Sequence, residues 1–191
     1  MPVTPDQALI ERAQQGDPEA VAGLYRQHVQ AIARYIAYRV PEAQVVEDLT
    51  AEVFLRMVEG LPGYRWTGAP FEAWLYRIAA ARVADYYRQR ERRPTQALDD
   101  GLKHGAASLE LDVQQQEEFE AVRAALGQLS EEQQTILILR FVERKSHDEV
   151  AQMLDKRVEA VATAQHRALK RLAGLLGAQK AGRHYLRGKT P

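Results

Sequence analysis

Cysteine is absent from this 191-residue sequence. That excludes a disulfide framework, a thiol nucleophile and any cysteine-ligated zinc or iron–sulfur site, and it suits a reducing compartment. Net charge is absent too: Lys plus Arg and Asp plus Glu both number 26, so no bulk field advertises a polyanionic partner, and only local clustering can reveal one. No stretch approaches the ~20 apolar residues that cross a bilayer, and the opening MPVTPDQALIERAQQGD carries acids where a secretion signal needs an apolar core. The expectation is a cytoplasmic protein with no membrane insertion. Strand signals are lacking as well, with no alternating β-branched runs and no Asn-Gly or Asp-Gly hairpin turns. The fold class is therefore all-α: two small helical domains joined by a flexible acidic linker, the second containing a helix-turn-helix.

Helix starts are what the sequence does have. Thr4-Pro5 and Asp17-Pro18 each set a capping side chain before a proline at the first helical position, where its missing N–H costs nothing. From Asp17 a helix carries Leu24, Tyr25, Val29, Ile32, Tyr35 and Ile36 on one face until Val40-Pro41 interrupts it. Pro41-Glu42 opens the next, with Val45, Val46, Leu49, Val53, Met57 and Val58 inward and Glu47, Asp48, Glu52, Arg56 and Glu59 outward, ending near Gly60. GLPGYRWTGAP, residues 60–70, is a loop that keeps two large rings, Tyr64 and Trp66. Residues 94–118 mix Gly, Ser, Gln and acids, with Asp99, Asp100, Glu110, Asp112, Glu117 and Glu118 against one lysine, Lys103, and read as a linker. Beyond it, Ser130–Gln133 and Ser146–Glu149 fit reciprocal capping boxes, and a further helix spans about Val158 to Leu176 before a basic, frayed tail.

Positive charge gathers in APFEAWLYRIAAARVADYYRQRERR, residues 69–93. At about 100° per residue, Phe71, Leu75, Ile78, Ala79 and Tyr86 share one helix face and Arg77, Ala81, Ala84 and Arg88 another, with Trp74 between them. Alanines between arginines leave a shallow surface that a phosphate backbone can approach, and Arg88, Arg90, Arg92 and Arg93 extend the field. Tyr64, Trp66, Trp74 and Tyr87 offer rings for stacking unpaired bases, which readers of duplex DNA rarely need. Together they point to single-stranded or melting nucleic acid. The plainer alternative makes Trp74 and Tyr86 core residues and the arginines a solvated helix end favoured by the macrodipole.

In residues 129–172, Ala151, Asp155 and Val161 carry helix-turn-helix spacing: a small residue at the helix crossing, a turn residue that tolerates positive φ, and an apolar anchor. Val150, Leu154, Val161, Ala168, Leu169 and Leu172 supply the buried face. Lys156, Arg157, Thr163, Arg167, Lys170 and Arg171 are left for phosphates and base edges. A generic antiparallel helix pair with surface lysines is the competing reading. Catalysis finds no support: His28, His104, His147, His166 and His184 lack metal-ligand spacing or a nucleophile partner, and no phosphate-cradling or dinucleotide motif occurs. No enzyme activity, catalytic residue, metal, cofactor or small-molecule substrate is expected.

Taken together, AQQGDPEAVAGLYRQH, EDLTAEVFLRM, FEAWLYRIAAARVADYYRQRERR, LSEEQQTILILRF, SHDEVAQML and HRALKRL resemble a bacterial RNA polymerase sigma factor of the extracytoplasmic-function (ECF, group IV) type, in family order and as far as about Leu176. The resemblance implies a region 2-like domain at 1–95, a linker at 96–118, a region 4-like domain at 119–177 and a basic tail at 178–191. It implies that Asp48, Leu49, Glu52, Phe54 and Leu55 bind the clamp helices of the core polymerase β′ subunit. Trp74, Arg77 and Asp85 then belong to the promoter helix, and the Tyr64 to Ala69 loop receives a flipped minus-ten base beside Trp66, Tyr87, Arg88 and Arg90. Lys156, Arg157, Thr163, Arg167, Lys170 and Arg171 face the minus-thirty-five element, and this domain also meets the β flap. The acidic linker would follow the path of nascent RNA. An anti-sigma factor is a further implied partner.

Departures from the family pattern are concentrated. Ala51 stands where Gln is usual and Ala81 where Asn is usual, while Asp155-Lys156-Arg157 replaces Gly-Ile-Ser. Ala160, Ala162 and Ala164 replace Thr, Lys and Arg, leaving Arg157, Thr163 and Arg167 as the remaining readers of an upstream element. Two rival readings stay open on the sequence: a stand-alone helix-turn-helix DNA-binding regulator, and a protein-binding adaptor that touches no nucleic acid.

Overall fold

Capping side chains stand at three of the helix starts, Asp17, Ser130 and Ser146. The computed structural model describes residues 5–92 and 113–187. The first part contains α1 (Pro5–Gln14), α2 (Pro18–Ala37), α3 (Ala43–Gly60), a 3-10 turn at Leu61–Gly63, and α4 (Phe71–Arg92). After the break come α5 (Val113–Leu126), α6 (Glu131–Leu137), a π-helical segment at Ile138–Val142, α7 (His147–Leu154) and α8 (Val158–Arg187). No strand occurs among the described residues, and the chain divides into two compact units across the break. None of these helices is long and apolar enough to cross a membrane. The Thr4 cap, Arg93, Asp99, Asp100, Lys103, His104, Glu110, Asp112 and Lys189 lie outside the described residues.

Asp17 caps α2 with one carboxylate oxygen, which accepts from the Glu19 N–H at 2.9 Å and the Ala20 N–H at 3.3 Å. The other oxygen accepts from Arg12 at 2.6 Å, and that guanidinium holds the carboxyl below the usual range. Gly16, at φ +85°, makes the turn that folds α1 back along α2. At Gly23 a Cβ would sit 3.3 Å from Leu9 Cδ2, so glycine sets how closely the two helices pack. Leu24, Ile32, Tyr35 and Ile36 of α2, Val53 and Met57 of α3, and Phe71, Leu75, Ala79 and Val83 of α4 are fully buried, one stripe from each helix in a shared core.

Three inward assignments are corrected. Tyr25, Val58 and Leu169 are exposed, at 46%, 45% and 36%, because each sits at the edge of its apolar stripe, where periodicity alone does not say how far the neighbouring helix reaches. Val29, Val45, Ile78, Leu154 and Leu172 are half-buried.

The capping boxes form as expected. Ser130 Oγ accepts from the Gln133 N–H at 3.3 Å while Gln133 Oε1 accepts from the Ser130 N–H at 3.2 Å. At α7, Ser146 Oγ accepts from the Glu149 N–H at 3.1 Å, and Glu149 Oε2 accepts from the Ser146 N–H at 2.6 Å. The Ser146 backbone N–H is the main reason the Glu149 carboxyl lies below the ordinary value of 4.5. With its folded pKa depressed, Glu149 contributes stability that is present above pH 4.5 and is lost as pH falls through its folded value. Ser146→Ala is expected to cost about 1 kcal/mol at neutral pH, whereas Glu149→Gln, which removes the titrating group, is expected to flatten the acid limb. Urea unfolding at neutral pH and at about pH 3.5 checks both; equal stabilities for Ser146→Ala and wild type at neutral pH would refute the cap.

Two helices run beyond the elements expected from the sequence. α5 starts at Val113, so residues 113–118, read as linker, are helix; a polar run of good helix formers such as VQQQEE is not separable from a linker by composition. α8 continues through Arg187, well past the expected end near Leu176, as its Ala, Leu, Lys and Arg outweigh three glycines. The turn before α8 is as read: Asp155 has φ +52°. The Lys156 N–H reaches the Ala151 carbonyl at 2.9 Å and the Asp155 N–H that of Gln152 at 3.4 Å, the paired closure of a left-handed helix end. Ala151 is buried and Val161 fully so, as the helix-turn-helix spacing requires.

Candidate functional site

The loop between α3 and α4 rests on an aromatic cluster. Phe71 is fully buried, with its ring centroid 5.3 Å from Tyr64, 5.5 Å from Trp74 and 5.6 Å from His28. Tyr64 and Trp74 are 4.9 Å apart. The indole lies over Gly60, where a Cβ would come within 2.8 Å of Trp74 Cζ2. Tyr64 and Trp74, read from sequence as free stacking surfaces, are thus half-buried supports; their ring faces are spent on each other and on Phe71. Tyr87 keeps an exposed edge, but its hydroxyl donates to the Arg39 carbonyl at 2.5 Å and its ring packs 5.1 Å from Tyr86. Trp66 is the large ring the loop presents outward, 37% exposed between exposed Arg65 and Thr67.

Carboxylates engage much of the arginine run. Glu42 accepts from Arg90 at 2.7 Å and from the Tyr86 hydroxyl at 3.1 Å. These contacts raise the Arg90 pKa, while burial first and Glu42 second push the Tyr86 phenol up. Arg88 donates to Asp85, whose carboxyl it holds below the usual range. Arg82 bridges Asp85 at 2.5 Å and Glu52 of α3 at 3.1 Å. Arg88 and Arg90, expected to reach DNA, are therefore ion-paired; the Arg88–Asp85 pair follows from i, i+3 helical spacing, whereas spacing does not reveal that of Arg90, because Glu42 is 48 positions away. Among the described residues, Arg65, Arg77 and Arg92 are exposed without such pairing.

A second surface runs along α3. Ala51, Leu55 and Val58 continue from Asp48 at helical spacing on the outside of the unit; Leu55 is 57% exposed and Val58 45%. Exposed Tyr25 of α2 lies beside them, its ring 4.8 Å from that of Phe54. Glu47, Asp48 and Glu59 rim the stripe. Of the five residues assigned to this contact, Asp48 and Leu55 are outside, and Glu52 is half-exposed and engaged with Arg82 and Arg56. Leu49 and Phe54 are buried and hold the helix down instead. Val58 and Tyr25 were missed as surface residues, although Ala51, Leu55 and Val58 form an i, i+4, i+7 row that a search for a second apolar stripe finds.

In the second unit, Glu132, Arg157, Glu159, Ala160, Thr163, Ala164 and Arg167 line a depression of about 370 Å3 at the start of α8. Lys156 is paired with Glu132 at 3.2 Å, so it is not the free cation the sequence implied. Thr163 donates its hydroxyl proton to the Glu159 carbonyl at 2.8 Å and leaves its oxygen to accept. Lys170 and Arg171 are exposed farther along. Two acids and two arginines at small side chains can read base edges and backbone shape, but do not make a strong cationic field.

Comparison with known proteins agrees with this two-part layout. Family models described as Sigma-70 region 2 and Sigma-70, region 4 match residues 24–93 and 119–172. The chain is 35% identical over 170 residues to the ECF RNA polymerase sigma factor BldN of Streptomyces coelicolor, covering 88% of this chain and 64% of that protein. It is 36% identical over 179 residues to the ECF RNA polymerase sigma factor ShbA of Streptomyces griseus, covering 88% of this chain and 93% of that one. Among solved structures it is similar to CnrH in complex with the cytosolic domain of CnrY, with a TM-score of 0.67 and 25% identity over 91% of this chain and 97% of that chain.

Proposed function

The chain belongs to the ECF sigma factors of bacterial RNA polymerase, and from that membership we infer that it binds the core enzyme and directs promoter recognition, DNA opening and transcription initiation. The observation that carries the reading is the pairing of two unlike surfaces on one unit: an acid-rimmed apolar stripe at Asp48, Leu55 and Val58, and a loop offering Trp66 and Arg65. The stripe suits a protein partner, the β′ clamp helices, since apolar anchors inside a charged rim are how interfaces are built. The loop suits a base drawn out of the duplex, because extrusion costs a few kcal/mol that stacking on one ring can offset. Arg77 and Arg92 hold the backbone nearby, and the depression at the start of α8 faces the upstream element while its unit meets the β flap.

A stand-alone helix-turn-helix regulator leaves both surfaces of the first unit without a purpose. The factor performs no covalent chemistry of its own; the polymerase does. An anti-sigma protein is a further partner, by analogy with CnrH, whose structure includes the cytosolic domain of CnrY. Run-off transcription with core polymerase on fragmented genomic DNA tests the reading: adding the protein is expected to create new starts that share two spaced motifs. No new start, or no association with core, would overturn it.

A further inference from the structure

Gln14 is the last residue of α1 and lies before the segment matched by the region 2 family model. Its side-chain nitrogen donates one proton to the Leu61 carbonyl at 2.9 Å and the other to the Tyr64 carbonyl at 2.8 Å. The assignment is chemically unambiguous, because the amide oxygen in that place would face two other oxygens. The two acceptors bracket the 3-10 turn, itself closed by the Tyr64 N–H on the Leu61 carbonyl at 3.0 Å. The carbonyl of Tyr64 sets the plane of the peptide leading to Arg65, and so the direction in which Arg65, Trp66 and Thr67 leave the unit.

The donor is firmly mounted. Ile10 and Ala13 of α1 are buried, Leu9 packs on Gly23, and the helix end is closed by Gly16 at positive φ and by the Arg12–Asp17 pair. Tyr64 is held from one side by rings and from the other by this amide. The far end of the loop turns at Gly68, φ +88°, before the fully buried Phe71. The near anchor of the loop is thus Tyr64, and α1 supplies half of its hold.

We propose that Gln14 is a positioning residue for promoter-base capture, its amide fixing the Tyr64 carbonyl so that the loop holds Trp66 and its neighbours ready for the base. The proposal rests on the loop's assigned role. It makes α1 part of the recognition apparatus through the loop it holds.

The test uses holoenzyme reconstituted from core polymerase and the full chain, on four templates that differ only at the captured minus-ten base, with open-complex formation read by permanganate reactivity of unpaired thymine. Wild type is expected to prefer one base. Gln14→Ala is expected to reduce that preference by up to about tenfold, the worth of two neutral hydrogen bonds, with core affinity unchanged and the first unit still folded, its melting temperature lowered by no more than the ~4–8 °C that such bonds are worth. Gln14→Glu, which sets a carboxylate against two carbonyls, should lose more, and Gln14→Lys, whose ammonium donates to both, should retain the preference. That order is one a simple loss of packing does not produce. Wild-type preference in both Gln14→Ala and Gln14→Glu overturns the inference alone, whereas absence of preference in wild type itself overturns the loop's role and the inference together.

Discussion

Leu55→Glu is expected to weaken binding to core RNA polymerase about a hundredfold, the scale of an interface hot spot, while leaving the isolated protein folded. Leu55 is 57% exposed on α3, so the substitution removes little buried area, and glutamate is a good helix former; its cost to stability should lie within ~0.5 kcal/mol. Docking changes the balance. The stripe of Ala51, Leu55 and Val58 must be stripped of water against its partner, and a carboxylate in the middle of it either stays hydrated and holds the surfaces apart or is buried unpaired. Asp48→Lys, at the rim, should act differently, altering the association rate and its salt dependence more than the dissociation rate. Competition of unlabelled variants against labelled wild type for core enzyme measures the first effect, and thermal melting by circular dichroism supplies the control. Wild-type affinity for Leu55→Glu would remove this face of α3 from the interface.

Phe71→Ala is expected to cost about 3–5 kcal/mol, much of the 5–15 kcal/mol that holds a typical domain folded. Phe71 is fully buried and its ring is in contact with those of Tyr64, Trp74 and His28. Truncation leaves a cavity beneath the loop and strips two of its supports of their edge contacts at once. The melting temperature of the first unit should fall by at least about 12 °C. Phe71→Leu separates folding from support: most of the volume remains and the core stays assembled, but the edge-to-face contact with Tyr64, worth about 0.5–1.5 kcal/mol, is lost. That variant should fold, bind core normally and open its promoter poorly. If Phe71→Ala unfolds at the wild-type urea midpoint, the cluster is not the support described.

Much of the architecture was readable because local chemistry dictates it. Asp17-Pro18, Ser130 with Gln133, and Ser146 with Glu149 start helices through hydrogen bonds that span three residues, so the pattern in the chain is the pattern in space. Asp155 is similar, since a short polar side chain at a helix end tolerates positive φ. The π-helical segment Ile138–Val142 was not legible. Ile138 and Leu139 within it continue the buried run of Ile136 and Leu137, and a closure follows in which the Lys145 N–H reaches back to the Leu139 carbonyl at 2.9 Å and Arg144 takes φ +55°. Nothing in ILRFVERK distinguishes it from an ordinary helix.

The functional residues divide along the same line. By itself the sequence determined the all-helical class, the two-unit order, and the gathering of arginines and rings in α4 and the loop before it, because composition, helical period and caps act between near neighbours. The tertiary structure alone decided which of those side chains are available. Tyr64 and Trp74 became supports through Phe71 and Gly60, Arg90 was taken by Glu42 and Lys156 by Glu132, and Gln14 was brought to a loop 50 positions away. Charge pairing and ring packing depend on distance in space, and for partners beyond one helical turn separation along the chain carries no information about them.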